Sequence, residues 1–347
     1  MTRSVLCWLT LAALAAGTAS ARTVARSRPT RQMLPAGLSV SGTLSFQDAH
    51  GIRHLLRGRT DTAVPTAAPI WESEISPRHR RVAYGLGMGS DWPNRLSLWK
   101  CRLDGSARVN LTAVTGLGGT NCWPHWSPNG KKIAFQHSDP VKGKRPCEAG
   151  FRPWVMTSDG RYAHPLSAKT GRLKDSATWL PDGRHLFAYQ TDGTTCIVSV
   201  DGQVLKPLPN VGTGAIMSPD GAAIASCRVR HDEVDGKPGH WFELIITDAE
   251  GGHPRAIVRQ FLSREDMQLG HPGDAEWADG VEATLGALQP AWSPRGERLA
   301  FVAALPYDPH GAGPRDQQEV WIYDFRTDQL TRVTSDHMRQ WSLSWRK

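Results

Sequence analysis

The feature that most restricts what this chain can fold into is an internal repeat. The segment Trp126-Ser127-Pro128-Asn129-Gly130-Lys131-Lys132-Ile133-Ala134-Phe135 returns as Trp179-Leu180-Pro181-Asp182-Gly183-Arg184-His185-Leu186-Phe187-Ala188. It recurs at Met217–Ser226 and Trp292–Phe301, and more weakly at Ile75–Tyr84. In most copies Asn-Gly or Asp-Gly supplies the positive-φ residues of a tight turn, and alternating apolar residues begin the next strand. A second hairpin signal lies downstream of each, at Asp104-Gly105, Asp159-Gly160, Asp201-Gly202, Asp248–Gly251 and around Asp324. Short strands recurring every ~50 residues are the mark of propeller blades.

The two ends of the chain complete each other. Trp341-Ser342-Leu343-Ser344-Trp345 reads as the first strand of a sixth copy, and Gly42–Gly51 as an outer hairpin lacking its inner one. Joining them in one blade removes the free sheet edges that would template aggregation. The expectation is an all-β fold: a six-bladed β-propeller of four-stranded antiparallel blades, closed by N- and C-terminal strands sharing one blade. The tryptophans at equivalent positions, Trp126, Trp179, Trp292 and Trp345, are expected to pack between blades.

The Trp-Ser-Pro-Asp-Gly-Lys-x-Ile-Ala-Phe core followed by an outer Asp-Gly hairpin resembles the propeller repeats of the TolB family, over roughly residues 42–347. That resemblance implies a bacterial periplasmic propeller that binds a partner. The family's N-terminal α/β domain has no counterpart, because only ~20 mature residues precede the first propeller-like strand. The repeats also look like those of prolyl-oligopeptidase-type enzymes and of oligogalacturonate lyase, so the fold alone does not assign a role. The chain has no G-x-S-x-G elbow, H-E-x-x-H or G-x4-G-K-[ST] motif, so α/β-hydrolase peptidase, thermolysin-like and P-loop chemistries are not signalled.

Charge and the N-terminus bear on compartment. Arg3 is followed by an apolar run from Val5 to Ala16 and by Ala19-Ser20-Ala21, the layout of a secretory signal peptide, so residues 1–21 are expected to be cleaved. Residues 22–37 form a basic flexible linker, and 38–347 the propeller. The net charge is +8; subtracting Arg3 and the four cations Arg22, Arg26, Arg28 and Arg31 leaves +3 on residues 35–347. A nearly balanced domain without basic strands interleaved with stacking aromatics is not read as a nucleic-acid binder. No later apolar run reaches the ~20 residues of a membrane helix. Periplasmic or secreted localisation and a monomeric state are therefore expected. Five cysteines follow the signal peptide, and Cys122 with Cys147 is the candidate disulfide.

Long insertions at Gly85–Asn94, His137–Gly150, Arg228–Gly239, Arg259–Leu288 and Pro306–Arg315 fall on the face opposite the tight turns. Long loops in a compact domain carry function more often than short ones. Candidate ligand- or partner-binding residues on that face and in the channel are Glu74, Asp91, Trp92, His125, His137, His231, Asp232, His240, His271, Trp277, Asp308 and His310. Glu74 and His125 belong because they stand just before the first residue of a repeat copy, Ile75 and Trp126, in a register where a purely structural role would be more uniform. The expected function is a binding module for an envelope or secreted protein or a carbohydrate, with no cofactor required. The alternative is a metal-dependent carbohydrate lyase or hydrolase, in which imidazoles and carboxylates from several blades hold a divalent metal at the channel mouth.

Overall fold

In a computed structural model of the chain, the described residues are 41–48, 51–56, 59–64, 70–78, 80–87, 96–142, 150–166, 173–263, 288–303, 318–335 and 341–346. Among them lie six four-stranded antiparallel sheets. Strands β1 (Thr43–Asp48), β2 (Gly51–Leu56) and β3 (Arg59–Val64) open the chain. Sheet 1 follows as β4 (Ile70–Ile75), β5 (Val82–Gly87), β6 (Leu96–Cys101) and β7 (Val109–Asn110). The short helix α1 (Leu111–Thr115) leads to sheet 2: β8 (Thr120–Trp126), β9 (Lys132–Ser138), β10 (Arg152–Thr157) and β11 (His164–Pro165). Sheet 3 is β12 (Leu173–Trp179), β13 (His185–Gln190), β14 (Thr195–Ser199) and β15 (Val204–Leu208). Sheet 4 is β16 (Thr213–Met217), β17 (Ala223–Val234), β18 (Lys237–Asp248) and β19 (Arg255–Ser263). Sheet 5 is β20 (Ala291–Trp292), β21 (Arg298–Ala303), β22 (Glu319–Asp324) and β23 (Gln329–Arg332). Sheet 6 runs β24-β1-β2-β3, with β24 (Trp341–Arg346) antiparallel to β1. First strands touch in succession, β4 with β8, β8 with β12, β12 with β16, β16 with β20, β20 with β24 and β24 with β4. This is a β-propeller.

The repeat motif explains the turns. Gly130, Gly183, Gly221 and Gly296 all have φ between 66° and 76°, where a Cβ would be strained, and each donates its N–H three residues back, as Gly130 does to Ser127 O at 2.8 Å. The repeat serine then caps the turn. Lys132 N donates to Ser127 Oγ and Ala223 N to Ser218 Oγ, both at 2.9 Å, and Arg298 N to Ser293 Oγ at 3.0 Å. These bonds fix where the second strand starts, and thereby which face its apolar residues bury.

The repeat tryptophans latch neighbouring sheets. Each indole Nε1 donates to a backbone carbonyl: Trp126 to Glu74 O at 3.0 Å, Trp179 to His125 O at 3.1 Å and Trp292 to Ile216 O at 3.3 Å. Trp345 differs: its Nε1 donates to Ser41 O at 2.8 Å, just ahead of β1 in its own sheet. A large apolar body with one donor at its edge suits a seam that is dry but crossed by backbone.

Two expectations are corrected. Gly42–Gly51 does not form an outer hairpin: β1 and β2 are the second and third strands of sheet 6, because Trp345 occupies the repeat-aromatic position on β24 and makes it the first. Arg228–Gly239 is not a loop either. β17 and β18 pair continuously from Ala223↔Asp248 to Val234↔Lys237, turning at Asp235-Gly236. Among the described residues no helix is long and apolar enough to cross a membrane.

Candidate functional site

Glu74, His125 and Arg346 come from three first strands, β4, β8 and β24, of which β4 touches both others, and their side chains lie together. Glu74 Oε2 accepts the Trp126 N–H at 2.8 Å, and its other oxygen is paired with the Arg346 guanidinium. His125 Nδ1 lies 3.4 Å from Glu74 Oε2, and Arg346 Nε donates to Ile75 O at 3.4 Å. Glu74 is buried, whereas the side chains of His125 and Arg346 keep 28% and 31% of their surface open. Burial pushes the His125 imidazole down to about 4, so it is neutral at pH 7. Burial also lowers the Arg346 guanidinium, to about 10, which leaves it charged. The result is a fixed anion, a fixed cation and a neutral imidazole side by side, suited to binding a polar group.

Each first strand, or the residues just ahead of it, also carries one backbone position in the left-handed region: Glu72, Trp123, Asp175, Gly214, Gln289 and Ser342, with φ from 24° to 62°. Five of the ladders shift register there. Such bulges re-aim side chains and interrupt pairing. Around one of them lie Glu72, Cys122 and Asp175. Burial, then the charges of Glu72 and Asp175, hold the Cys122 thiol well above its ordinary range, and burial raises the Asp175 carboxyl. Cys122 is therefore a poor nucleophile. It is a free buried thiol whose Sγ approaches Gln136 Oε1 at 3.5 Å; Cys147, its expected disulfide partner, lies outside the described residues.

The other expected residues separate. His137 is buried in sheet 2, with Nδ1 2.9 Å from Asn121 Oδ1 and Nε2 3.0 Å from Asp139 Oδ1, and Asp139 is also paired with Arg152. The hydrogen bond from His137 holds the Asp139 carboxyl below the usual range. His137 thus reads as a satisfied packing residue. His231 and His240 form a cross-strand pair on the long hairpin, ring centroids 4.3 Å apart, while Asp232 Oδ2 accepts from Trp241 Nε1 at 3.1 Å. Asp91, Trp92, His271, Trp277, Asp308 and His310 lie outside the described residues. Among the described residues no group of three His, Cys, Asp or Glu is placed to hold a metal.

Sequence reasoning joined Glu74 to His125 but missed Arg346, Glu72 and Asp175. A signal for Arg346 existed: the second residue of the repeat, after Ile75, Trp126, Trp179, Met217 and Trp292, is Ser76, Ser127, Leu180, Ser218 and Ser293 in five copies, and after Trp345 it is arginine.

No family model matches the chain. An uncharacterized protein of Agrobacterium fabrum is 28% identical over 118 residues, 33% of this chain and 38% of that protein, so the match spans well under half of the relative. TolB from Acinetobacter baumannii is similar over 90% of this chain and 68% of its own, at 16% identity and a TM-score of 0.57. A TolB candidate from Agrobacterium tumefaciens aligns over 67% of this chain and 80% of its own, at 17% identity and a TM-score of 0.50. A chain of a nidogen/laminin complex covers 88% of this chain at 12% identity, TM-score 0.54 and 98% of its own length. Likeness at these identities concerns the fold. The chain has a β-propeller fold similar to that of TolB.

Proposed function

We propose that the six sheets form a closed six-bladed ring, joined by β24 and β1, which is exported to the periplasm or beyond and acts as a monomeric binding module. Its partner is an envelope or secreted protein, or a carbohydrate, taken at the inner surface of the ring. The observation that supports this reading is the Glu74–His125–Arg346 cluster, in which three sheets contribute polar groups to one place and two of the three side chains stay partly open. Fixed, mutually paired charges cost little to reorganise when a ligand arrives, which favours recognition. The bulges beside the cluster supply further polar groups, Glu72 and Asp175 among them.

The test begins with affinity capture from envelope extract on the mature chain, followed by direct measurement of Kd with the isolated partner. His125→Ala is expected to weaken that Kd at least tenfold. Unchanged affinity in His125→Ala, with the variant folded by circular dichroism, would remove the inner surface as the binding site. N-terminal sequencing of exported protein beginning at Arg22 checks the export part of the reading separately.

A further inference from the structure

In sheets 1 to 5 the turn from first to second strand and the turn from third to fourth lie at the same end, because each sheet is an antiparallel meander. The inner turns stand side by side: a Cβ built on Gly130 would lie 3.7 Å from Pro77 Cδ, and one on Gly183 3.8 Å from Pro128 Cδ. Lys100 Nζ reaches across from sheet 1 and donates to Ser158 O in the outer turn of sheet 2 at 2.5 Å. The turns of sheets 1 and 2 thus make one continuous surface.

Charge is divided unevenly over this end of the molecule. The turn segments of sheets 1 and 2 (76–81, 102–108, 127–131 and 158–163) hold seven arginines and lysines against two carboxylates, Asp104 and Asp159. The corresponding segments of sheets 3, 4 and 5 (180–184, 200–203, 218–222, 249–254, 293–297 and 325–328) hold three against six. Arg78, Arg80, Arg102, Arg108, Lys131 and Arg161 are all exposed. Both carboxylates are engaged in their own turns. Asp104 Oδ1 accepts the Ser106 N–H at 2.9 Å; Asp159 accepts the Thr157 hydroxyl at 2.5 Å and lies 3.6 Å from Arg161 Nε. Like charges meet here: burial and then the charge of Arg81 lower the Lys100 ammonium. Crowded cations repel one another in the free protein, and an anionic partner relieves that repulsion.

An aromatic ring stands among them. Tyr162, beside Arg161 in the outer turn of sheet 2, is 81% exposed at a φ of 51°. Two other outer turns fill the matching left-handed position with Ala107 and His253. At that exposure the ring packs on little protein, so its apolar body is open to an outside partner. Tyrosine, with an apolar body and a polar tip, settles at the headgroup level of a bilayer. Exposed cations spread over separate turns suit a surface of mobile phosphates, whereas a single small ligand calls for fixed donors converging in a cavity.

We propose that the tight-turn surface of sheets 1 and 2 docks on an anionic phospholipid bilayer, the cations facing headgroup phosphates and Tyr162 entering the interface. No residue of the Glu74–His125–Arg346 cluster takes part, so the proposal does not rest on the binding role assigned to that cluster.

The test is co-sedimentation of the mature chain with vesicles of phosphatidylcholine, alone or with about a third phosphatidylglycerol. Binding is expected to the mixed vesicles and not to the neutral ones, and should be lost when salt shortens the Debye length to ~3 Å. Arg78→Gln/Arg80→Gln/Lys131→Gln is expected to bind at least about tenfold more weakly, each cation at such a surface being worth roughly fivefold. The charge-matched Arg184→Gln/Arg295→Gln/Arg326→Gln, altered on sheets 3 and 5, should change less than about threefold. Tyr162→Ser should weaken binding by the same factor at low and at moderate salt. All seven positions are exposed turn residues, and circular dichroism checks each fold. No binding to the mixed vesicles would overturn the proposal. So would equal effects of the two triple variants, which report net charge alone, since Arg22, Arg26, Arg28 and Arg31 are common to both. Equal affinity for soluble polyglutamate, with Tyr162→Ser without effect, would overturn it in favour of an acidic polymer.

Discussion

Glu74→Ala removes two interactions at once, and the structure allows them to be weighed separately. The Trp126 N–H loses a charged acceptor at 2.8 Å, a contact worth ~1.5–3 kcal/mol. The Arg346 guanidinium loses its partner; a fully buried broken pair costs ~3–5 kcal/mol, but with 31% of the arginine side chain in solvent the share here is nearer ~1–2 kcal/mol. The expected cost of Glu74→Ala is therefore ~4 kcal/mol. Glu74→Gln keeps an oxygen for the Trp126 N–H and should cost about half as much. Urea denaturation followed by fluorescence of the 14 tryptophans measures both, provided the m-value is unchanged. In the Glu74→Gln background, Arg346→Met should cost at least ~1 kcal/mol less than it does alone, because the pair is already broken. Equal losses for the alanine and glutamine variants would show that the Trp126 contact contributes nothing. Strict additivity with Arg346→Met would show that the ion pair is not coupled across the seam.

Three further outcomes follow from the packing and the titratable groups, and one from the metal question. Trp179→Phe keeps the ring but strands the His125 carbonyl, and should lower stability by ~1–3 kcal/mol in the same assay. The Asp104, Asp159, Asp220 and Asp248 carboxyls are held below their ordinary range by hydrogen bonds from Ser106, Thr157, Ser218 and His253 respectively. Folded values below unfolded ones place their stabilisation above the ordinary carboxylate range, so it should be lost as pH falls below about 4, read as a falling urea midpoint. His125, depressed to about 4, should show no imidazole titration by NMR above pH 5; since the unfolded chain binds that proton first, stability should fall as pH drops from about 6.5 toward 4, and the slope should flatten in His125→Gln. Elemental analysis before and after chelation is expected to find no stoichiometric transition metal; finding one that chelation removes would favour the carbohydrate lyase alternative and turn attention to His271, Asp308 and His310.

What the sequence made legible was whatever a single strand or turn encodes. Asn129-Gly130 and Asp182-Gly183 announce their turns because glycine alone enters the left-handed region without strain, and the recurring tryptophans announce a seam. Sheet 6 was displaced by one strand because Asp48-Ala49-His50-Gly51 imitates the outer Asp-Gly turn of the other copies, and nothing local distinguishes a second strand from a third. The bulges were hidden for the opposite reason: of six equivalent positions only Gly214 is glycine, while Glu72, Trp123, Asp175, Gln289 and Ser342 accept an unfavourable φ because their sheets impose it. The meeting of Glu74, His125 and Arg346 depends on which first strands are neighbours, β4 touching both β8 and β24, a relation that spacing along the chain does not contain. Its trace was nevertheless present as a break in the pattern. A repeat holds at the same residue type wherever packing sets the choice, so the positions that report something else are those where one copy departs. Arginine where four other copies carry serine puts a cation on the last strand of the chain, opposite a glutamate on the first sheet.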